Sequence, residues 1–181
     1  MKLNRLLLTG TLVGILGIAA QSPASTMTYT ATLIGANEVP PNGSTATGFA
    51  TFTLNGDFLT VDLTFSGLTG GPAVAAHIHC CAAPGTNASV WVPYAGFPNM
   101  TSGTYTNTFD LATFAFSNGG TEAALIAGLN DGTAYTNIHD AEFPGGEIRG
   151  QISAVPEPGS LLLLSTGLIG GIITLRRKML I

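Results

Sequence analysis

Cations are almost missing from the middle of this sequence. The 181-residue chain has six Lys and Arg residues. Lys2 and Arg5 lie at the N-terminus, Arg176, Arg177 and Lys178 lie at the C-terminus, and only Arg149 lies between them. The same central stretch carries nine carboxylates, from Glu38 to Glu147, which with Arg149 leaves a net charge of −8. Nucleic-acid binding needs clustered Lys and Arg to neutralise phosphates, so that function class is excluded. An anionic membrane surface would repel such a domain. Charged residues of both signs make up only 9% of the chain, against about 25% in an ordinary soluble domain. Thr, Ser, Asn and Gly supply the polar surface instead. No Ser-His-Asp order, Gly-rich phosphate loop or EF-hand spacing occurs, which removes the commonest hydrolase, nucleotide and calcium signatures. Helical periodicity is nearly absent between the two ends.

What is present begins with an apolar run at each end. Lys2 and Arg5 form a positive n-region, Leu6 to Ala20 an h-region, and Ser22-Pro23-Ala24 a cleavage site. This predicts a signal peptide over residues 1–24, removed by signal peptidase; an uncleaved N-terminal anchor is the alternative reading. At the other end Val155-Pro156-Glu157-Pro158 precedes an apolar run that reaches Leu175, and Arg176-Arg177-Lys178 follows. Counted from Gly159 the run is about 17 residues, the lower limit for a membrane-spanning helix. The basic cluster would hold its end in the cytoplasm. A Pro-Glu-Pro motif, one apolar helix and a basic end in this order resemble the PEP-CTERM sorting tail. The resemblance implies cleavage near Pro156 to Pro158 by an exosortase-type enzyme. It also implies transient anchoring in the inner membrane and then a life in the cell envelope or outside the cell, often alongside exopolysaccharide. A permanent single-span anchor is the alternative.

Between the ends, Ala50, Phe52 and Leu54 alternate with Thr residues, and Leu59, Val61, Leu63 and Phe65 alternate with Thr60, Asp62 and Thr64. Such period-two alternation around Asn55-Gly56 predicts a half-buried hairpin. Further strands are expected over Thr28 to Ile34, Val74 to His79, Ser89 to Val92, Thr104 to Phe109, Thr133 to His139 and Glu147 to Ile152. One short helix is expected over Thr121 to Leu129. The fold class is therefore all-β, an antiparallel Greek-key-like sandwich or barrel.

Several segments in order resemble the CHRD domain. They are Leu33-Ile34-Gly35-Ala36-Asn37-Glu38-Val39-Pro40-Pro41, Ala76-His77-Ile78-His79, Ala82 to Asn87, Tyr135 to His139, and Pro144 to Gln151. The resemblance spans residues 27–153 and implies a β-domain. Cys80-Cys81 departs from the family's usual Gly-Pro after His-x-His. The family has no well-defined activity, so the resemblance implies a fold more than a function.

The chain's three histidines are the candidates for chemistry. Residues i and i+2 of a strand share a face, which places His77 and His79 together, and His139 with Tyr135 and Asn137. With a third imidazole from another strand, His77, His79 and His139 make a candidate zinc or copper site, and Cys80 is a candidate soft ligand beside them. The bland reading is that the rings bind loop backbone. Adjacent cysteines pair poorly, because a trans peptide holds neighbours about 3.8 Å apart and a disulfide prefers about 5.5 Å. In an oxidising compartment Cys80 and Cys81 would form a vicinal bond, link two chains or ligate metal. Arg149, the lone central cation, is expected to pair with Glu38 and fasten the first and last strands. Weaker signals are Asp131, Asp140 and Glu142 for calcium, and Trp91, Tyr94 and Phe97 as a sugar-binding strip. The Asn87 and Asn99 glycosylation patterns are expected to carry no glycan.

Two functions of different class follow. One is a non-catalytic, exported envelope or matrix protein with no cofactor, contacting exopolysaccharide or envelope proteins. The other is a metal-binding or metal-dependent redox protein using the His-x-His strand.

Overall fold

The computed structural model describes residues 26–156. The expected signal peptide, the C-terminal apolar run, the basic end and Glu157 and Pro158 of the sorting motif lie outside the described residues. Among the described residues no helix is long and apolar enough to cross a membrane.

The described residues build nine antiparallel strands and one α-helix. Strand β1 (Met27–Ile34) leads through a short 3-10 turn to β2 (Thr47–Asn55) and β3 (Phe58–Ser66). Then come β4 (Ala75–His79), β5 (Val90–Pro93) and β6 (Gly103–Asp110). Helix α1 (Glu122–Asn130) precedes β7 (Tyr135–His139), β8 (Ile148–Gln151) and β9 (Ser153–Ala154). All of the strands join one sheet in the order β5-β4-β7-β8-β1-β2-β3-β6, with β9 on β1. The all-β antiparallel class holds. Where a Greek-key-like sandwich or barrel is expected, the structure has one continuous ladder that curls on itself as a half-barrel. Aromatic side chains close the curl. Tyr94, just after β5, stacks on Tyr105 of β6 with centroids 5.0 Å apart, and the Tyr105 hydroxyl donates to Ala95 O at 3.3 Å.

Alternation sets which side chains fill the curl. Phe52, Leu59, Val61 and Leu63 are buried, while Thr60, Asp62 and Thr64 point outward. The turn lies one residue later than the Asn-Gly pattern predicts. Asn55 pairs with Phe58, so Gly56 and Asp57 form the loop. Gly56 takes φ +58° while Asp57 does not have a positive φ, the pattern of a type II′ turn with Gly at its first central position. Helix α1 plugs the open end with Leu125 and Leu129, and Thr121 caps it by accepting from Ala124 N at 3.3 Å. The expected sugar-binding strip is overturned. Tyr94 is buried among Phe97, Tyr105 and Phe109, and Trp91 and Phe97 pack against the same core.

The β4-β7-β8 end of the sheet is different, since both of its faces are covered. Ala76, Ile78, Ile138 and Ile148 face the core. His77, His79, Tyr135, Asn137, His139 and Arg149 face the other way. All five residues of β7 are buried. Loops reaching over from residues 35–46, 80–89 and 140–147 form the roof.

Cys80 and Cys81 form a vicinal disulfide at the end of β4. The helix sits on it. A Cβ built at Gly128 falls against Cys80 Sγ and 2.6 Å from Cys81 Sγ. Helix propensity alone would make Gly128→Ala stabilising by roughly 1 kcal/mol. Overpacking reverses the sign, and we expect a loss of about 1–3 kcal/mol by urea denaturation. A raised urea midpoint would show that the helix does not rest on the sulfurs.

Candidate metal centre

Strand register assembles the histidines. Across the β4–β7 ladder His77 stands opposite Asn137, His79 opposite Tyr135, and Ala75 opposite His139. The three rings therefore project from one face of two adjacent strands. One nitrogen from each ring lies within 4.8 Å of the others. His77 Nδ1 is 3.3 Å from His139 Nε2. His79 and His139 are buried, and His77 is partly open.

The roof loops fix the tautomers. His79 Nδ1 lies 2.9 Å from Ala88 O, and His139 Nδ1 lies 3.0 Å from Pro144 O. A carbonyl oxygen only accepts, so each Nδ1 carries the ring's proton and donates it. Each Nε2 is then a bare lone pair. Both point at the Asn137 amide oxygen, which is 3.0 Å from His79 Nε2 and 2.9 Å from His139 Nε2. That oxygen is an acceptor too, so three lone pairs converge without a donor among them.

Protonation does not resolve this. Burial pulls His77 down to about 4, and the neighbouring His139 and His79 add to the shift. Burial also lowers His79 and His139, against the pull of their carbonyl partners. Neutral imidazoles held by backbone carbonyls are the state in which histidine ligates metal. Two of the rings are held in this way, His77 approaches them through Nδ1, and a set of three imidazoles suits zinc or copper.

Glu38 flanks the cluster. It is 4% exposed, and its Oε1 has no hydrogen-bond partner. Burial pushes it up to about 7, opposed by the Arg149 charge and by hydrogen bonds from the Asn137 side chain and Val39 backbone. Gly146 makes room for this contact. Its φ is +126°, and a Cβ there would run into Glu38 Oε1 and sit 2.7 Å from Asn137 Nδ2.

Two of the sequence-based expectations need correction here. Arg149 does not form its hydrogen bonds with Glu38. Its Nη1 donates to Asn87 Oδ1 at 3.0 Å and its Nη2 to Thr86 O at 2.8 Å. Its guanidinium lies 3.3 Å over the Tyr135 ring centroid. That ring in turn stacks on His79 at 4.5 Å, with planes 5° apart. The planar cation is held by ring and loop, so it fastens the 80–89 loop to β8 rather than the first strand to the last. Cys80 is no soft ligand either, because its sulfur is bonded to Cys81 and faces α1.

The calcium trio is not assembled: His77, His79 and His139 form the one group of metal-ligating side chains among the described residues. Asp140 is instead buried against Glu147. Burial and the Glu147 carboxyl raise Asp140. Burial pushes Glu147 up as well, but hydrogen bonds from Asp140, Ser44 and Thr69 hold it below the ordinary range. Asp140 Oδ1 accepts from Glu142 N at 3.0 Å and Phe143 N at 2.7 Å, which anchors the loop that presents Pro144 O. Asn87 and Asn99 donate their amides to Val39 O and Ala73 O. Asn137 was legible in sequence only as a face-mate of His139. Nothing in sequence marks the carbonyls of Ala88 and Pro144.

The CHRD domain family matches residues 29–152, from β1 to the end of β8, with every histidine inside the match. The chain belongs to the CHRD domain family. The PEP-CTERM protein-sorting motif matches residues 154–178, directly after the CHRD domain. Together the two fit an exosortase-sorted extracellular protein. The motif implies an exosortase-type processing enzyme, export, and membrane anchoring for sorting. No curated protein and no solved structure matches the chain.

Glu38 and His77 give the metal-free CHRD domain opposite pH slopes. His77 is lowered from 6.5 to about 4. The unfolded chain binds the extra proton in that window, so stability falls as pH drops through it. Glu38 is raised from 4.5 to about 7. Its contribution is full below the lower value and is lost as pH rises through the upper one. Glu38→Gln is therefore expected to stabilise the chelator-treated protein by about 2–3 kcal/mol near pH 8 and to change little near pH 4. Equal urea midpoints for variant and parent near pH 8 would show that Glu38 holds its charge without destabilising the fold.

Proposed function

We propose that this CHRD domain protein is a non-catalytic component of the cell envelope or extracellular matrix, and that its exported domain holds one zinc or copper ion. The observation that carries the metal is the convergence of the bare Nε2 atoms of His79 and His139 beside His77 Nδ1. Neutral rings with their protons committed to backbone carbonyls leave lone pairs that a cation would satisfy. Export and sorting rest on the tail, whose match ends at residue 178.

Contact with exopolysaccharide or envelope proteins is supported by the outer face of β3 and β6. Thr60 and Thr108 hydroxyls lie 2.9 Å apart there, and Thr106 donates to Asp62 at 2.9 Å. A hydroxyl-lined, weakly charged strand face suits neutral polar partners.

A metal-dependent redox protein is the second reading. The observation favouring it is the Tyr135 ring stacked on His79, an oxidisable ring in contact with a ligand.

Metal content tests the proposal. The full chain is purified, stripped with chelator, and dialysed against equimolar zinc and copper. About one ion per chain is expected, and His77→Ala/His79→Ala should retain almost none. Metal-free parent protein after reloading would leave the rings structural and return the function to polysaccharide binding alone.

A further inference from the structure

Three histidines leave one tetrahedral position to fill, and the identity of the fourth ligand decides what the site can do. Structural zinc sites are closed by four protein ligands, whereas catalytic ones keep a position for water or substrate. The structure already holds a fourth atom in place.

We propose that Asn137 Oδ1 is the fourth metal ligand, closing a three-histidine, one-amide sphere, and that Glu38 is the positioning residue that aims the amide. This rests on the metal reading above. Metal–nitrogen bonds of about 2.0–2.1 Å place neighbouring tetrahedral ligands about 3.3 Å apart. The His77 Nδ1 to His139 Nε2 separation is 3.3 Å. Asn137 Oδ1 stands 2.9 Å from His139 Nε2 and 3.0 Å from His79 Nε2. These three edges lie within a few tenths of an ångström of a first coordination shell, and all three ring nitrogens lie within 4.8 Å of one another. Oxygen near two bare nitrogens is repulsive as it stands, and a cation among them turns the same arrangement into coordination.

The amide does not reach this position by accident. Asn137 is 2% exposed on a strand buried along its whole length. Its nitrogen end faces Glu38, to which it donates. Gly146 keeps that side free of a Cβ that would fall 2.7 Å from Asn137 Nδ2. With Nδ2 committed to the carboxylate, Oδ1 is left aimed at the rings. A metal-bound amide oxygen makes its own N–H2 a better donor, so the carboxylate and the ion reinforce one another across one side chain.

A closed sphere argues against the redox reading and for a site that secures structure or sequesters the ion.

Cobalt substitution tests the proposal on the full chain. Parent, Asn137→Ala, Asn137→Asp and Glu38→Gln are loaded with Co²⁺, and affinity is measured by competition with a chelator. The parent should show the intense visible bands of four-coordinate cobalt. Asn137→Asp keeps an oxygen at the same place and should retain the four-coordinate bands, although it gives up the N–H donated to Glu38. Asn137→Ala should bind cobalt roughly 10–100-fold more weakly, with weakened bands as water enters. Glu38→Gln should keep the band shape and lose affinity by less than Asn137→Ala.

Parent-like bands and affinity in Asn137→Ala would overturn the proposal while leaving the three-histidine site intact. That result would mean the amide is turned the other way, donating its two N–H groups to the two rings. Should Asn137→Ala fail to fold, loss of the four-coordinate bands in the folded Asn137→Asp protein would overturn it equally. A parent that takes up no cobalt would overturn both the proposal and the metal reading.

Discussion

Desolvation governs the polar end of this sheet. A buried imidazolium is costly, so His79 and His139 are held neutral. A neutral ring has one proton to give, and each gives it to a backbone carbonyl of a roof loop. Everything else at the site follows from those two donations. They fix the tautomer, turn both Nε2 lone pairs toward β7, and tie loops 80–89 and 140–147 down over the strands. The same rule explains Arg149. A guanidinium that is 2% exposed needs its fork filled and its faces covered. Asn87 and Thr86 fill the fork, and Tyr135 covers a face.

The sheet's path makes this burial possible. Most of the ladder has one face on the core and one in water, as antiparallel sheets commonly do. Strands β4, β7 and β8 depart from that arrangement because loops fold back over them. Apolar side chains would have filled the second face equally well. Polar ones stand there instead, most of them supplied with a partner from a loop or a neighbouring strand, with Glu38 Oε1 an exception. The paired carboxyls of Asp140 and Glu147 belong to the same scheme. They pin the loop that carries Pro144 and contribute nothing to the ligand set. Buried polar groups of this kind specify one arrangement, because a misplaced loop would strand several of them at once.

Period-two alternation made much of the fold legible. Leu59, Val61, Leu63 and Phe65 mark the core face of β3 by their spacing alone, and His77 with His79 marks the other face of β4. Leu125 and Leu129 do the same for the helix. What alternation leaves open is which strands neighbour which. The continuous curled sheet depends on three long crossovers, after Ser66, after Pro93 and after Asp110. Local pattern says nothing about where these lead. The same gap explains the misread partners. Pairing Arg149 with Glu38 assumed that the only cation must seek a carboxylate. The Tyr135 ring, two strand positions from Asn137, was the nearer surface. Trp91, Tyr94 and Phe97 have no alternation to place them, and only the meeting of the sheet's ends packs them on the core. The tautomer-fixing carbonyls are backbone groups, and no side-chain pattern encodes them.

The disulfide bears on which ligands an exported site can use. Outside the cell a thiol beside a metal is subject to oxidation, and a thiolate ligand is lost when its sulfur is oxidised. In this chain Cys80 and Cys81 are bonded to one another, which removes both sulfurs from the neighbourhood chemistry although Cys80 directly follows His79. The remaining donors are imidazole nitrogens and an amide oxygen. Neither type requires a reducing compartment. Burial lowers all three imidazoles, His77 to about 4, which favours their deprotonated forms. The donor set proposed above therefore suits the export that the sorting motif implies. It remains available in an oxidising and mildly acidic surrounding, where a cysteine-based site would not.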